Sequence, residues 1–114
     1  MRKLLGINGE EKAAEFLKSK GYTILHRNYK VKFGEADIIA KHGEYLVFIE
    51  VKTRKGDLFG QPYEAVDTKK QQKLRSIALA FMKNAGYEMP VRFDIISIVA
   101  SEASEKISHM EGAF

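Results

Sequence analysis

Two carboxylates and one amine occur at a short spacing near the middle of the 114-residue chain. Asp37 lies in the segment GEADIIA, and Glu50 and Lys52 follow in FIEVKTR. Carboxylate oxygens suit Mg²⁺ or Mn²⁺, and a lysine beside the metal can orient or deprotonate a water, or stabilise developing negative charge. Because a divalent ion lowers the pKa of water and polarises a phosphoryl oxygen, this set has the components that phosphodiester hydrolysis requires.

The pattern of apolar residues places these side chains on two strands. Glu35–Lys41 and Glu44–Arg54 are predicted strands, and the tight turn at His42-Gly43 makes them antiparallel neighbours. Both faces of the second strand begin apolar, which predicts a central strand. Side chains alternate along a strand, so one face carries Leu46, Phe48, Glu50, Lys52 and Arg54. If the strands pair as expected, Asp37 approaches this face.

A helix and a strand are predicted before this pair. Asn8 with Glu11 three residues later fits a capping box, so the first helix is expected to start near Asn8. Gly21 is placed to end it. Tyr22–Tyr29 is the first predicted strand.

A second helix is predicted after the loop that follows the site strand. It is expected to start near Asp67 or Thr68, where Thr68 and Gln71 form another capping-box pattern, and to end at Gly86. Its apolar face has helical spacing and consists of Leu74, Ile77, Ala78, Phe81, Met82 and Ala85.

Val91–Ala100 is the fourth predicted strand, with a short fifth strand near Lys106–Met110. The order α-β-β-β-α-β predicts an α/β fold in which a meander leads through a crossover helix into a mixed sheet with helices packed on it. The length predicts one domain over residues 1–114.

The composition excludes several classes of protein. There is no cysteine, which excludes disulfides, thiolate catalysis and zinc ribbons, and three scattered histidines argue against a histidine-rich metal site. No apolar run approaches the ~20 residues of a membrane span, and the N-terminal segment lacks a signal-peptide core. We therefore expect a soluble, cytoplasmic protein.

Positive charge is concentrated in one part of the chain. The net charge is +4, and the window from Lys52 to Arg75 alone carries a surplus of +4. Such a patch favours a polyanionic partner, although a solvated helix face has the same composition. The candidate nucleic-acid-binding residues are Arg54, Lys55, Lys69, Lys70, Gln71 and Lys73, together with Arg27, Lys30 and Lys32.

The arrangement of a lone Asp, a strand with Glu-x-Lys and a following helix resembles the PD-(D/E)XK nuclease superfamily. GEEKAAEFLKSKGY, RNYKVKFGEADIIA, LVFIEVKTRKGDLFGQPYEAV, RFDIISI and HMEGAF resemble, over nearly the whole chain, the YraN family of bacterial proteins. The superfamily pattern has Pro where this chain has Ala36. The resemblance implies a restriction-endonuclease-like fold, and its implied catalytic residues are Asp37, Glu50 and Lys52.

The same resemblance implies further roles. Glu10 matches a helical glutamate that, in members similar to archaeal Holliday junction resolvases, is an additional metal ligand beside the residues matching Asp37 and Glu50. In several nuclease relatives a residue of the second helix assists at the site, and Lys70 or Gln71 is the candidate here. Resolvase-like nucleases commonly act as dimers, so the resemblance also implies a homodimer.

Structural interpretations of these residues stay open at this point. Asp37 could be a strand-end residue, Glu50 and Lys52 a cross-strand ion pair, and Glu10 a residue favoured by the helix dipole.

Other polar residues are interpreted structurally. Asp94 is expected to pair with a cation near Arg92 or on the basic helix. His26, His42 and His109 are interpreted as surface or strand-end residues.

Three functions follow as hypotheses. The first is a Mg²⁺- or Mn²⁺-dependent endonuclease acting on DNA, with branched or structured DNA as a candidate substrate. The second is a catalytically weak or inactive nucleic-acid-binding or adaptor module on the same fold, and the third is a protein-interaction domain that uses an exposed strand edge.

Overall fold

The computed structural model describes residues 5–55, 66–100 and 104–114, with the side chains of residues 5–8 and 55 excepted. Within these ranges, no helix is long and apolar enough to cross a membrane. The elements are α1 (Leu5–Ser19), β1 (Thr23–Val31), β2 (Gly34–His42), β3 (Tyr45–Lys55), α2 (Thr68–Ala85), β4 (Val91–Ala100) and β5 (Glu105–Met110). This order confirms the predicted α/β class and is consistent with a restriction-endonuclease-like α-β-β-β-α-β core.

The five strands form one mixed sheet in the order β1-β2-β3-β4-β5. Strands β1, β2 and β3 are antiparallel neighbours, β3 and β4 are parallel, and β5 returns antiparallel to β4. The α2 connection allows the parallel pairing, since parallel strands need a crossover. Strand β3 is therefore central, as its two apolar faces predicted.

The two faces of the sheet carry separate apolar cores. The core on the α1 side includes Ala13, Leu17, Ile38, Val47, Ile49 and Ile96. The core on the α2 side includes Ile39, Leu46, Phe48, Leu74, Ile77, Phe81 and Phe93. Because Leu46 and Phe48 face α2, Glu50 and Lys52, which follow them at intervals of two residues, continue that face beyond the apolar core.

The predicted start of the first helix is wrong. Helix α1 begins at Leu5, so Asn8 and Glu11 lie inside it instead of capping it. A capping-box pattern describes only four residues, and those residue types are also accepted within a helix when the preceding residues continue it.

The predicted limits of the second helix are confirmed, because α2 begins at Thr68 and Gly86 caps its end. Asp67 caps α2, with an extended backbone and a side chain that accepts from the Lys70 N–H. The Thr68–Gln71 capping box is therefore not used, because a preferred cap residue precedes it. Gly86 ends the helix in the left-handed conformation, as predicted.

Candidate active site

Strand β2 is irregular at Asp37. Ala36 packs in the core on the α2 side and Ile38 in the core on the α1 side, although residues two apart share a face in a regular strand. Across from Asp37 on β1, Asn28 has a positive φ of 54°. Asn tolerates this conformation better than most residues. The irregularity on both strands marks the place where the carboxylate enters the site.

The Asp37 carboxylate takes over a backbone contact at this irregularity. The β2–β3 register runs from His42↔Tyr45 to Ile38↔Ile49. Beyond this register, the Val51 N–H donates to Oδ2 of Asp37 over 2.8 Å. The side chain of Asp37 is thereby fixed against β3, close to the side chain of Glu50.

Glu50 is a buried carboxylate with two ammonium neighbours. Its side chain is 7% exposed, and Oε2 lies 2.6 Å from Nζ of Lys70 and 3.5 Å from Nζ of Lys52. Its other oxygen, Oε1, is buried and has no hydrogen-bond partner within the described part of the chain. A buried, unpaired anionic oxygen is costly, so this atom is suited to binding a cation.

Helix α2 contributes the closer of these two lysines. Burial alone would lower the pKa of Lys70, but its hydrogen bond and attraction to Glu50 outweigh burial and raise it. Gln71 instead donates from Nε2 to the carbonyl of Val66 at the helix start. Of the two helix residues considered from the sequence, Lys70 is therefore the one that reaches Glu50.

The ionised form of Asp37 is destabilised relative to its protonated form. Burial and the neighbouring Glu50 carboxylate raise the pKa of Asp37 to about 6, although the hydrogen bond from Val51 opposes this shift. Glu10 and Glu35 add smaller repulsions. Two carboxylates that repel each other in a partly buried site form an arrangement that a divalent cation relieves.

Glu10 reaches the neighbourhood of the site through close packing of α1. A Cβ on Gly9 would clash with Oγ1 of Thr53, so the start of this helix lies directly against β3. Glu10 is near enough to raise the pKa of Asp37. Its role as a metal ligand stays a prediction.

The donor set fits Mg²⁺ or Mn²⁺. Among residues 9–54, 66–100 and 104–114, no three His, Asp or Glu side chains come together as a metal-binding group. Mg²⁺ does not require three, because it usually binds one or two carboxylates and completes its shell with waters and substrate phosphates. Asp37 and Glu50 supply such a pair, with the unpartnered Oε1 of Glu50 as one donor.

The two carboxylates lie in a cavity of about 700 Å³ between the β1–β2 hairpin and the start of α2. Five lysines line it, two from the hairpin and three from the helix: Lys30, Lys32, Lys69, Lys70 and Lys73. All except Lys70, which is partly buried, are exposed. Glu35 and Asp67, both exposed, line it as well, so the cavity combines a carboxylate pair with a rim on which lysines outnumber acids.

The remaining predicted basic residues lie away from the cavity or outside the described residues. Arg27 pairs with Glu11 of α1, with Nη1 2.9 Å from Oε1, and does not line the cavity. Arg54 is partly buried on β3. The side chain of Lys55 lies outside the described part of the chain.

A second charged cluster lies on β4 and β5. Asp94 is buried and accepts from Arg92 (2.9 and 3.0 Å), from Nε2 of His109 (2.8 Å) and from the Gly112 N–H (3.1 Å). Burial would raise the pKa of Asp94, but the hydrogen bonds from His109, Arg92 and Gly112 lower it to about 2. The predicted ion-pair role of Asp94 is confirmed.

The predicted positions of the histidines are partly correct. His26 is exposed and His42 ends β2. His109 lies near the end of β5, but its side chain is only 3% exposed, so it is not a surface residue. The Lys20 ammonium donates to Nδ1 of His109 over 2.9 Å, which assigns the ring proton to Nε2 and directs it to Asp94.

Comparison with known proteins places the chain in a family. The model of the uncharacterised protein family UPF0102 matches residues 9–98. A UPF0102 protein of Thermodesulfovibrio yellowstonii is 48% identical over 110 residues, covering 96% of this chain and 95% of the relative. One of Syntrophomonas wolfei is 40% identical over the whole of both chains, and one of Dictyoglomus turgidum is 46% identical over 93% and 91%. The chain belongs to the UPF0102 family, which confirms the resemblance to YraN proteins.

Proposed function

We propose that this member of the UPF0102 family is a divalent-metal-dependent nuclease that hydrolyses phosphodiester bonds in DNA. One observation carries the proposal. Asp37 and Glu50, whose carboxylates repel each other, line one cavity together with five lysines, and the buried Oε1 of Glu50 has no hydrogen-bond partner within the described residues. Because an unpaired buried acceptor is costly, this oxygen favours a cation-binding role for Glu50 over a purely structural ion pair.

In this proposal Asp37 and Glu50 hold Mg²⁺ or Mn²⁺. The bound ion supplies a lowered pKa for the attacking water and neutralises charge on the phosphoryl oxygen. Asp37 is fixed by the Val51 N–H, so its free oxygen keeps one direction. Glu50 is fixed by its burial and by the Lys70 ammonium 2.6 Å from Oε2.

The two lysines have different roles. Lys70 has a raised pKa, so it stays an ammonium and stabilises negative charge on the phosphate instead of accepting a proton. Lys52 lies on the same strand face as Glu50, 3.5 Å from its Oε2, where it can orient the attacking water. With Glu50 engaged by the metal ion it would hold, the ammonium groups of Lys52 and Lys70 would be free to contact the substrate.

The exposed lysines of the cavity rim support binding of the DNA backbone. Lys30 and Lys32 lie on the hairpin side, and Lys69 and Lys73 lie on the helix side. Each phosphate that these groups neutralise adds about −0.9 to the slope of log affinity against log salt concentration.

A cleavage assay tests the proposal. The purified chain is incubated with single-stranded, linear, nicked and four-way-junction DNA, with Mg²⁺, Mn²⁺ or EDTA. We expect cleavage only with a divalent ion, and a loss of about 100-fold or more in Lys52→Ala and Glu50→Gln. Lys41→Ala is the matched control, because Lys41 is an exposed lysine on β2 that pairs with Leu46, four residues before Glu50 on β3.

Cleavage that persists unchanged in Lys52→Ala and Glu50→Gln would contradict the mechanism. Titration with Mn²⁺ by calorimetry gives a second test that needs no substrate, since the wild type should bind the ion and Glu50→Gln should not. Tight DNA binding without turnover under any divalent ion would instead support the adaptor module.

A further inference from the structure

We propose that Phe33 stacks on an unpaired base of the substrate, so that the cavity takes single-stranded or locally unpaired DNA and not an intact duplex. This inference deepens the proposed function and rests on it. Phe33 occupies the tip of the β1–β2 hairpin at the cavity wall, and its side chain is 46% exposed.

The turn that carries Phe33 does not follow the usual turn chemistry. β1 and β2 pair up to Val31↔Gly34, so Lys32 and Phe33 are the two central residues of the connection. Two-residue hairpins favour a positive φ at the first central position, usually supplied by Gly, Asn or Asp. Asn28 is the one non-glycine residue with positive φ in the described part of the chain, so neither residue of this turn has it.

The neighbouring hairpin of the same sheet shows the usual solution. β2 and β3 pair up to His42↔Tyr45, and Gly43 provides a φ of 61° at the first central position. Lys32 and Phe33 occupy the equivalent positions of the first hairpin, and neither is a residue type that the geometry of a two-residue turn favours. An exposed aromatic ring there also gains little from burial, so we infer that its role lies in contact with a ligand.

The surroundings of Phe33 indicate the chemistry of that ligand. Phe33 shares the cavity with the hairpin lysines, Lys30 and Lys32, and with Lys69 and Lys73 of α2. An aromatic face flanked by ammonium groups matches a base attached to phosphates. A cavity of about 700 Å³ has room for one or two nucleotides, whereas the bases of a duplex are stacked on each other, so their faces are not available to an aromatic side chain.

The hairpin is held firmly enough to present the ring. A Cβ on Gly34 would lie 3.1 Å from Cδ1 of Ile77, so the base of the hairpin packs closely on α2. Tyr29 of β1 contacts Phe81 of α2 edge to face, at a ring separation of 5.2 Å. Because the position of the hairpin is fixed by these contacts, Phe33 needs little ordering when a base binds.

The experiment measures binding and not cleavage, so it is independent of the catalytic site. Fluorescence anisotropy in EDTA compares a labelled 12-nucleotide single strand, the same strand with abasic sites, and a 12-base-pair duplex. The variants are Phe33→Ala and Phe33→Trp, with Leu79→Ala as the control. Leu79 is 66% exposed on α2 and does not line the cavity.

We expect Phe33→Ala to weaken single-strand binding about tenfold, which corresponds to about 1.4 kcal/mol. Phe33→Trp should retain the affinity, Leu79→Ala should match the wild type, and the abasic strand should bind wild type and Phe33→Ala equally. Equal losses on the duplex and the single strand, or no loss at all, would overturn the inference even if the wild type cleaves DNA.

Two further outcomes are informative. The first tells whether Phe33 contacts a base or a second copy of the chain, and the second separates base stacking by Phe33 from cleavage of DNA. If Phe33→Ala changes the sedimentation coefficient from that of a dimer to that of a monomer, the ring belongs to an interface between copies and the inference is overturned. If the wild type binds single strands through Phe33 but cleaves no DNA under any divalent ion, the proposed nuclease activity fails while the base-stacking site stands.

Discussion

Replacing Asp37 by Asn should make the metal-free protein more stable, although it removes a residue of the candidate active site. The wild-type carboxylate is held near the Glu50 carboxylate in a partly buried position, and its pKa is raised from 3.8 to about 6. The introduced amide carries no charge, and its oxygen can still accept the hydrogen bond from the Val51 N–H.

The magnitude follows from the two pKa values. Below pH 3.8 the carboxyl is protonated in both the folded and the unfolded chain, so it has no effect on stability. Between pH 3.8 and about 6 the unfolded chain releases the proton first, so the stability of the wild type falls as the pH rises. One pH unit is worth about 1.36 kcal/mol, so the loss at about pH 8 is at most about 3 kcal/mol. We expect Asp37→Asn to recover about 1–3 kcal/mol there and nothing at about pH 3.5.

The assay is urea denaturation at about pH 8 and about pH 3.5, with EDTA and then with Mn²⁺. Glu44→Gln is the control, because Glu44 is an exposed carboxylate at the β2–β3 turn and its change should stay within about ±0.5 kcal/mol. With Mn²⁺ the order should reverse, since the ion stabilises only the chain that binds it. A variant that is equally or less stable than the wild type at the higher pH in EDTA would refute the reasoning.

Three other substitutions test the charged and close-packed positions. Asp94→Asn should destabilise the fold by about 2 kcal/mol at neutral pH in urea denaturation, because the pKa of Asp94 is lowered from 3.8 to about 2. The difference in unfolding free energy between wild type and variant should become smaller as the pH falls toward 2. Lys70→Met should cost about 1–2 kcal/mol in EDTA, because it removes the nearer partner of Glu50, and Mn²⁺ should restore the lost stability in the same assay. Gly9→Ala should lower the melting temperature, because the new methyl group meets Thr53, and adding Thr53→Ala should restore most of it.

The sequence predicted the parts of the site that depend on the alternation of side chains along a strand and on the order of strands along the chain. Alternation along FIEVKTR placed Glu50 and Lys52 on one strand face, and the structure has them on the α2 side as a continuation of Leu46 and Phe48. The tight turn at Gly43 predicted the pairing that brings Asp37 to β3. These features are local, so a single sequence contains them.

Other features depend on contacts between distant segments. The choice of Lys70 over Gln71 depends on how α2 packs on the sheet, which places the Lys70 ammonium 2.6 Å from Glu50 and the Gln71 amide at the Val66 carbonyl. The burial of His109 requires Asp94 on the neighbouring strand, and nothing beside His109 in the chain indicates it.

Phe33 was not singled out from the sequence. A signal was present, because an aromatic residue next to the glycine that begins β2 is an uncommon choice for a tight turn. Its place at the cavity becomes visible only when the hairpin is packed on α2.

The close contact between Gly34 and Ile77 has a mechanical consequence for the chemistry of the cavity. Lys70 and Ile77 are seven residues apart on α2, so they project from nearly the same side of the helix, about 10.5 Å apart along its axis. The position of helix α2 therefore determines both the distance from the Lys70 ammonium to Glu50 and the packing of the β1–β2 hairpin at the cavity. Replacing Ile77 by the smaller valine would therefore loosen the contact between α2 and the hairpin. The helix could then rotate, and the distance from the Lys70 ammonium to Glu50 would change although no charged residue had been replaced.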